Sequence, residues 1–137
     1  MAAATEALPP VAPPTAPRRW LLFLPTNELH ELALLFMNFA LRRRGHHTLY
    51  LGQDLPLSEL AAACAAYQPH CVLSVFTTNP ERGAVAEYVA ELRQQCPEAE
   101  LVLYGSLVQQ ENLAWPAGCH RPATMTEFLA LLEPVLA

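Results

Sequence analysis

A carboxylate and an imidazole two residues apart, Glu28 and His30, stand in the segment Pro25-Thr26-Asn27-Glu28-Leu29-His30-Glu31-Leu32-Ala33. A neutral imidazole can offer one ring nitrogen to a metal while a nearby carboxylate accepts the N–H of the other. That pairing fixes the tautomer and ring orientation and raises the basicity of the free nitrogen. The same spacing also describes an ordinary hydrogen-bonded histidine near a helix start, and it leaves both readings open. Two further polar sets could meet a ligand, Ser74 to Asn79 and Gly105-Ser106. Thr77, Thr78 and Asn79 can hydrogen-bond a bound molecule or cap the helix that follows them. No local spacing suggests a Ser-His-Asp or Cys-His arrangement, and no paired carboxylates stand out.

Composition narrows the classes. The chain has 137 residues, 53% of them hydrophobic, which suits one domain with a real core and excludes a disordered chain. All 8 basic residues are arginines, and without a lysine there is no P-loop, no Schiff-base chemistry and no phosphoreceiver site. A net charge of −5 argues against direct nucleic-acid binding by this domain. Arg42-Arg43-Arg44 ends a helix and there meets its negative end. Cys64, Cys71, Cys96 and Cys119 form no CxxC pair and read as small core residues rather than a zinc site. No apolar run reaches the roughly 18 residues of a membrane span, and the N-terminus lacks the features of a signal peptide. A cytoplasmic protein without a membrane partner is the expectation.

Short apolar runs alternating with amphipathic stretches are the pattern of βαβ units. Residues 1–18, rich in Ala and Pro, read as an extended linker or tail, and residues 19–137 as the folded domain. Strands are expected over Trp20–Leu24, His47–Leu51, Cys71–Phe76 and Leu101–Tyr104, with a weak fifth strand within Leu113–His120. Helices are expected over about 29–44 (closed by Gly45), 57–67, 80–95 and 125–136, the last capped by Thr124. Leu32, Leu35, Phe36 and Phe39 recur at helical spacing and read as core. His46-His47 enters a strand, and His120 could reach the crevice rim. The fold class is α/β: a flavodoxin-like (Rossmann-like) three-layer sandwich around a five-stranded parallel sheet. Ligands bind such sheets at the carboxyl ends of the strands, where the order reverses. The loops carrying Glu28 and His30, Ser74 to Asn79, and Gly105-Ser106 all converge there.

Glu28-Leu29-His30-Glu31-Leu32, then Leu41-Arg42-Arg43-Arg44-Gly45, then Tyr50-Leu51-Gly52-Gln53-Asp54-Leu55-Pro56 resemble the cobalamin-binding domains of MerR-type transcription regulators, including the light-sensing repressors of the CarH kind. The resemblance spans about residues 19–136. It implies a base-off cobalamin (adenosyl-, methyl- or hydroxocobalamin) held from below the cobalt by His30, with Glu28 behind it. It also implies that Ser74, Phe76 and Thr77 after the third strand, and Gly105 and Ser106 after the fourth, border the corrin and its nucleotide tail, with Ala33 beside the ring. A binding and regulatory module is implied rather than an enzyme, attached to helical-bundle and DNA-binding domains upstream or associating with itself.

Two positions depart from that family's pattern. Ala33 stands where it has a glycine that lets the corrin approach, and Ser106 stands for the second of two glycines beside the tail. A corrinoid-carrier module of a methyltransferase or mutase uses the same domain. A degenerate fold acting only through protein contacts is the remaining alternative. Flavin mononucleotide fits poorly, because no Ser/Thr/Gly-rich phosphate loop follows the first strand.

Overall fold

The computed structural model describes residues 17–28, 30–110 and 113–133. Residues 1–16 of the expected tail over 1–18 therefore lie outside the described residues, while Arg18 is tied to the domain through Glu100 and His46. Five parallel strands form one sheet in the order β2-β1-β3-β4-β5: β1 (Arg19–Phe23), β2 (His47–Gly52), β3 (Cys71–Val75), β4 (Glu100–Tyr104) and β5 (Cys119–His120). Four helices flank it: α1 (Glu31–Arg43), α2 (Leu57–Tyr67), α3 (Val85–Gln95) and α4 (Met125–Leu132). Every residue of β3 is buried, as a central strand covered on both faces must be.

The connections explain the layering. From β1 the chain crosses to β2 on one side, then returns over β1 to β3 and β4, so right-handed crossovers put α1 on one face and α2 with α3 on the other. Two cores follow. Leu22, Leu34, Met37, Leu41, Leu73 and Phe128 fill the space between the sheet, α1 and α4. Phe23, Leu60, Phe76, Val89, Leu92 and Leu103 fill the other side. The strand order reverses between β1 and β3, where chain connections leave in opposite directions and open a crevice at the carboxyl edge.

The elements agree with the expected α/β pattern, with local differences. Thr124 caps α4 in a full capping box, accepting from the Glu127 N–H at 3.1 Å while the Glu127 carboxylate accepts from the Thr124 N–H at 3.0 Å. The third helix begins later than Pro80, with a 3-10 turn over Arg82–Ala84 before α3. The fifth strand contracts to Cys119–His120, pairing only with Leu101 and Val102.

Three sequence readings are corrected. Leu32, Leu35 and Phe36 are not core but 81%, 46% and 44% exposed, and Phe39 is only half-buried. The buried face of α1 is Leu34, Met37, Ala40 and Leu41. Both stripes have helical spacing, so periodicity alone could not choose between them. The stripe that packs on the sheet, Leu34, Met37, Ala40 and Leu41, is the one that shares a core with β1, β3 and α4. Cys64 and Cys96 are buried as expected but are also joined in a disulfide, with Cα atoms 6.2 Å apart. Side-by-side packing of α2 and α3 brings them together across 32 residues, which no local spacing announces. His120 is not at the crevice rim: it lies opposite Val102 and faces Glu100, at the start of β4, with Nε2 3.7 Å from that carboxylate.

Candidate functional site

The site is assembled by two loops that are neighbours only because β1 and β3 pair, Leu22 opposite Leu73 and Phe23 opposite Ser74. After β1 the chain turns through Pro25–Glu28, closed by the Glu28 N–H on the Pro25 carbonyl at 3.0 Å. Asn27 takes a left-handed conformation in this turn (φ 67°), which asparagine tolerates, and its N–H donates to Asp54 Oδ1 at 3.1 Å. That turn drives the Glu28 side chain inward, where it is fully buried.

A lone buried carboxylate would cost several kcal/mol, so its partners matter. Glu28 Oε1 accepts backbone N–H bonds from Thr77 at 2.5 Å, Thr78 at 2.8 Å and Asn79 at 3.3 Å. Glu28 Oε2 accepts from the His30 N–H at 3.1 Å and the Thr77 hydroxyl at 2.8 Å. Burial alone would raise the Glu28 pKa. The Thr78 and Thr77 amides, with His30 and the Thr77 hydroxyl, outweigh it and hold the carboxyl down at about 2. Glu28 is therefore an anion that can only accept.

This decides the state of His30. Its Nδ1 lies 2.7 Å from Glu28 Oε2 and 2.6 Å from Thr77 Oγ1. Against an ionised carboxylate, Nδ1 must carry the proton, so in the neutral ring Nε2 holds a free lone pair. The His30 side chain is 58% exposed while Glu28 behind it is fully covered. An exposed, oriented imidazole nitrogen at the carboxyl edge of a parallel sheet can reach a ligand or metal centre from solvent. Among the described residues no group of three or more His, Cys, Asp or Glu side chains could hold a bare metal ion.

The remaining sequence-predicted residues fall into two groups. Ser74 is fully buried, its hydroxyl donating to the Phe23 carbonyl at 2.7 Å. Phe76 is fully buried against Tyr88, ring centroids 5.2 Å apart and perpendicular. Gly105 has φ +122°, and a side chain there would collide with the Phe76 carbonyl, so only glycine fits. In the chain as it stands these three serve the packing at the ends of β3 and β4. Thr77 joins the Glu28–His30 cluster directly, Ala33 is half-buried on the first turn of α1, and Ser106 is exposed beyond Gly105.

Two features escaped the sequence. Thr78 and Asn79, read as ligand contacts or caps, supply backbone N–H groups to Glu28 across 50 and 51 residues. Glu31 accepts from the Tyr50 hydroxyl at 2.6 Å and from Gln53 at 2.8 Å, tying the start of α1 to β2 and the loop after it. The Tyr-Leu-Gly-Gln segment contains both partners, but nothing local links them to Glu31.

No known family profile matches the chain. In fold it is similar to a cobalamin-binding protein from Desulfitobacterium hafniense DCB-2, with a TM-score of 0.63 at 14% identity over 84% of this chain and 57% of that one. It is similar to the monomethylamine corrinoid protein of Methanosarcina barkeri, with a TM-score of 0.66 at 11% identity over 82% of this chain and 55% of that one. The methanol:cobalamin methyltransferase complex MtaBC of the same organism gives 0.63 at 15% identity over 86% and 52%. The chain is built like a cobalamin-binding domain. In sequence it is 31% identical over 108 residues to the HTH-type transcriptional repressor CarA of Myxococcus xanthus. That match spans 79% of this chain but 36% of the repressor's length. Within the cobalamin-binding fold, Glu28 and His30 lie in the loop after the first strand, at the edge where the strand order reverses. Among the described residues no helix is long and apolar enough to cross a membrane.

Proposed function

We propose that this chain is a cobalamin-binding sensory or regulatory domain in which His30 Nε2 ligates cobalt from below. The observation that carries the reading is the Glu28–His30 pair itself: a buried anion holding Nδ1–H, and an exposed lone pair on Nε2. Held by His30, a corrin-bound cobalt would supply organometallic and redox chemistry whose change of state a regulator could read. The chain's own residues do the rest. Glu28 holds the proton at Nδ1, the Thr77 hydroxyl braces the ring, and the amides of Thr77 to Asn79 keep Glu28 ionised. Ser74, Phe76, Gly105 and Ser106 border the nucleotide tail in this reading. Its support is their place at the ends of β3 and β4 and the family resemblance.

The ligating residues fit such a group. At the ends of β3 and β4 the Phe76 ring packs on Tyr88 and the Phe76 carbonyl closes on Gly105. Absorbance titration with hydroxo-, methyl- and adenosylcobalamin, in the dark and after illumination, tests the proposal. Saturable binding with a base-off, histidine-ligated spectrum is expected, and His30→Ala should abolish that spectrum and weaken binding at least tenfold. Unchanged affinity and spectrum in His30→Ala would remove His30 from the cobalt. Absence of corrin absorbance at high excess would leave a fold acting through protein contacts alone. Parallel titration with cobinamide, which lacks the tail, reads what the tail contributes.

A second reading is favoured by the solved neighbours, among them a corrinoid protein and a methyltransferase complex. In it the domain carries a corrinoid for methyl transfer, with His30 in the same role. Methyl transfer from the methylcobalamin-loaded chain to a thiol or amine acceptor, with a partner enzyme, separates carrier from sensor.

A further inference from the structure

Strand β1 runs between β2 and β3, and successive residues of such a parallel strand bond to its two neighbours in turn. At the entry of β1 each side is met by a histidine. On the β2 side the Arg18 N–H donates to His46 Nδ1 at 3.1 Å, and the Arg18 carbonyl accepts from the His47 N–H at 3.0 Å. On the β3 side the Arg19 N–H donates to His70 Nδ1 at 2.8 Å, and the Arg19 carbonyl accepts from the His70 N–H at 2.9 Å. His46 precedes β2 and His70 precedes β3, so two rings stand where ladder carbonyls would otherwise take these amides. A backbone amide can only donate. Both Nδ1 atoms are therefore unprotonated, and both neutral rings carry their proton on Nε2, the reverse of His30.

We propose that His46 and His70 form a proton-released clamp on the entry of β1. The neutral rings hold Arg18 and Arg19 against the two neighbouring strands, and protonation of a ring in mild acid frees its side. An imidazolium carries an N–H at both nitrogens, and at Nδ1 it would face the amide donor to donor. Nothing offsets this at His46, where Nε2 is buried without a hydrogen-bond partner and the ring stands edge-on to Trp20, centroids 5.9 Å apart. A charged ring must turn to water, and the amide it held is then open. From Trp20 onward β1 is buried and paired strand to strand with β2 and β3. Release is thus confined to the point where the residues before Arg18 join the domain.

The surrounding charges oppose an added proton. His46 faces Arg18, Arg44 and His47, and the Glu133 carboxylate on this side lies 3.6 Å from the Arg44 guanidinium. His70 faces Arg19 and Arg18. The Arg19 guanidinium donates to the Gln68 carbonyl at 2.7 Å, and that of Arg18 to Glu100 at 3.2 Å. Glu100 also lies 3.7 Å from His120 Nε2, and Glu98 lines the same hollow as His70. Burial, aided by these cations, pulls both rings below the ordinary histidine value of about 6.5. With folded values depressed, the clamp is fully formed above about pH 6.5. Below it the released state gains up to about tenfold in population per pH unit for each ring. The clamp lies at the sheet edge opposite His30, and the inference does not depend on cobalamin.

Imidazole and amide NMR on the full chain, from about pH 8 to about pH 5, provides the test. Both rings should show the Nε2–H tautomer at neutral pH. Hydrogen-exchange protection factors of the Arg18 and Arg19 amides should fall at least about tenfold between about pH 7 and about pH 5. Those of Leu22 and Leu73, paired in mid-sheet, should hold. His46→Asn and His70→Asn place a side-chain carbonyl oxygen close to where Nδ1 stood, an acceptor that does not titrate. In the double variant the protection should persist and stay level across the range, with an unchanged circular dichroism spectrum. His46→Ala should instead expose the Arg18 amide, and His70→Ala the Arg19 amide, at every pH. An Nδ1–H tautomer at either ring, or wild-type protection that holds down to about pH 5, overturns the proposal. So does an equal fall in the double asparagine variant, or full protection in the alanine variants.

Discussion

Replacing Glu28 by glutamine changes almost no volume but removes the anion on which the candidate site is built. The two carboxylate oxygens divide the surrounding donors between them. Oε1 takes the amides of Thr77, Thr78 and Asn79, and Oε2 takes the His30 amide, His30 Nδ1 and the Thr77 hydroxyl. A glutamine can point its oxygen at one set only, and its NH2 then faces the other set donor to donor in a fully buried position. Loss of several charge-assisted hydrogen bonds around a buried group costs about 3–5 kcal/mol.

Proton linkage gives an independent magnitude. Hydrogen bonding moves the Glu28 pKa from 4.5 to about 2 despite burial, equivalent to about 3 kcal/mol of native-state stabilisation at ~1.36 kcal/mol per pH unit. The folded-state pKa is depressed, so this contribution is fully present above about pH 4.5 and disappears as pH falls towards about 2. Urea unfolding of wild type and Glu28→Gln, each from about pH 7 down to about pH 2.5, reads both quantities. The variant should lose about 3–5 kcal/mol at neutral pH, and the gap should narrow by about 1.4 kcal/mol per unit below about pH 4.5. Titration of the other carboxylates cancels to first order in the difference. A neutral-pH loss below about 1 kcal/mol, or a gap that stays constant down to the acid limit, would refute the account of a clamped anion behind His30.

Two further outcomes are expected. Gly105→Ala forces a side chain into a left-handed backbone and onto the Phe76 carbonyl, so it should destabilise by about 2–4 kcal/mol in chemical denaturation; a loss under about 1 kcal/mol would mean the β4 loop relaxes freely. Reducing the Cys64–Cys96 disulfide, which closes a loop of 32 residues, should remove about 3.5 kcal/mol of stability. Cys64→Ser should match reduced wild type and be insensitive to reductant, and equal stability of wild type with and without dithiothreitol would rule out the contribution.

The alternation of apolar runs with helical stretches, the all-buried third strand and the placement of loops at one sheet edge were legible in the sequence, because side-chain period reports local geometry directly. The Glu28–His30 spacing was legible too, as a pair that could share a proton. What made it a site was not. The donors that ionise Glu28 arrive from residues 49 to 51 positions away, and only the β1–β3 pairing puts them there. That clamp turns a plausible pair into one with a fixed proton at Nδ1 and a free Nε2.

Sequence alone therefore determined the architecture and brought out the Glu28–His30 pair, since both follow from residue types and short spacings. Tertiary structure decided which stripe of α1 faces out, which cysteines meet, and where the Glu28 charge finds its partners. The physical reason is common to all three. A helix with apolar residues on both sides carries no local signal of its own rotation, and contacts across 30 to 50 residues are set by strand order rather than by spacing.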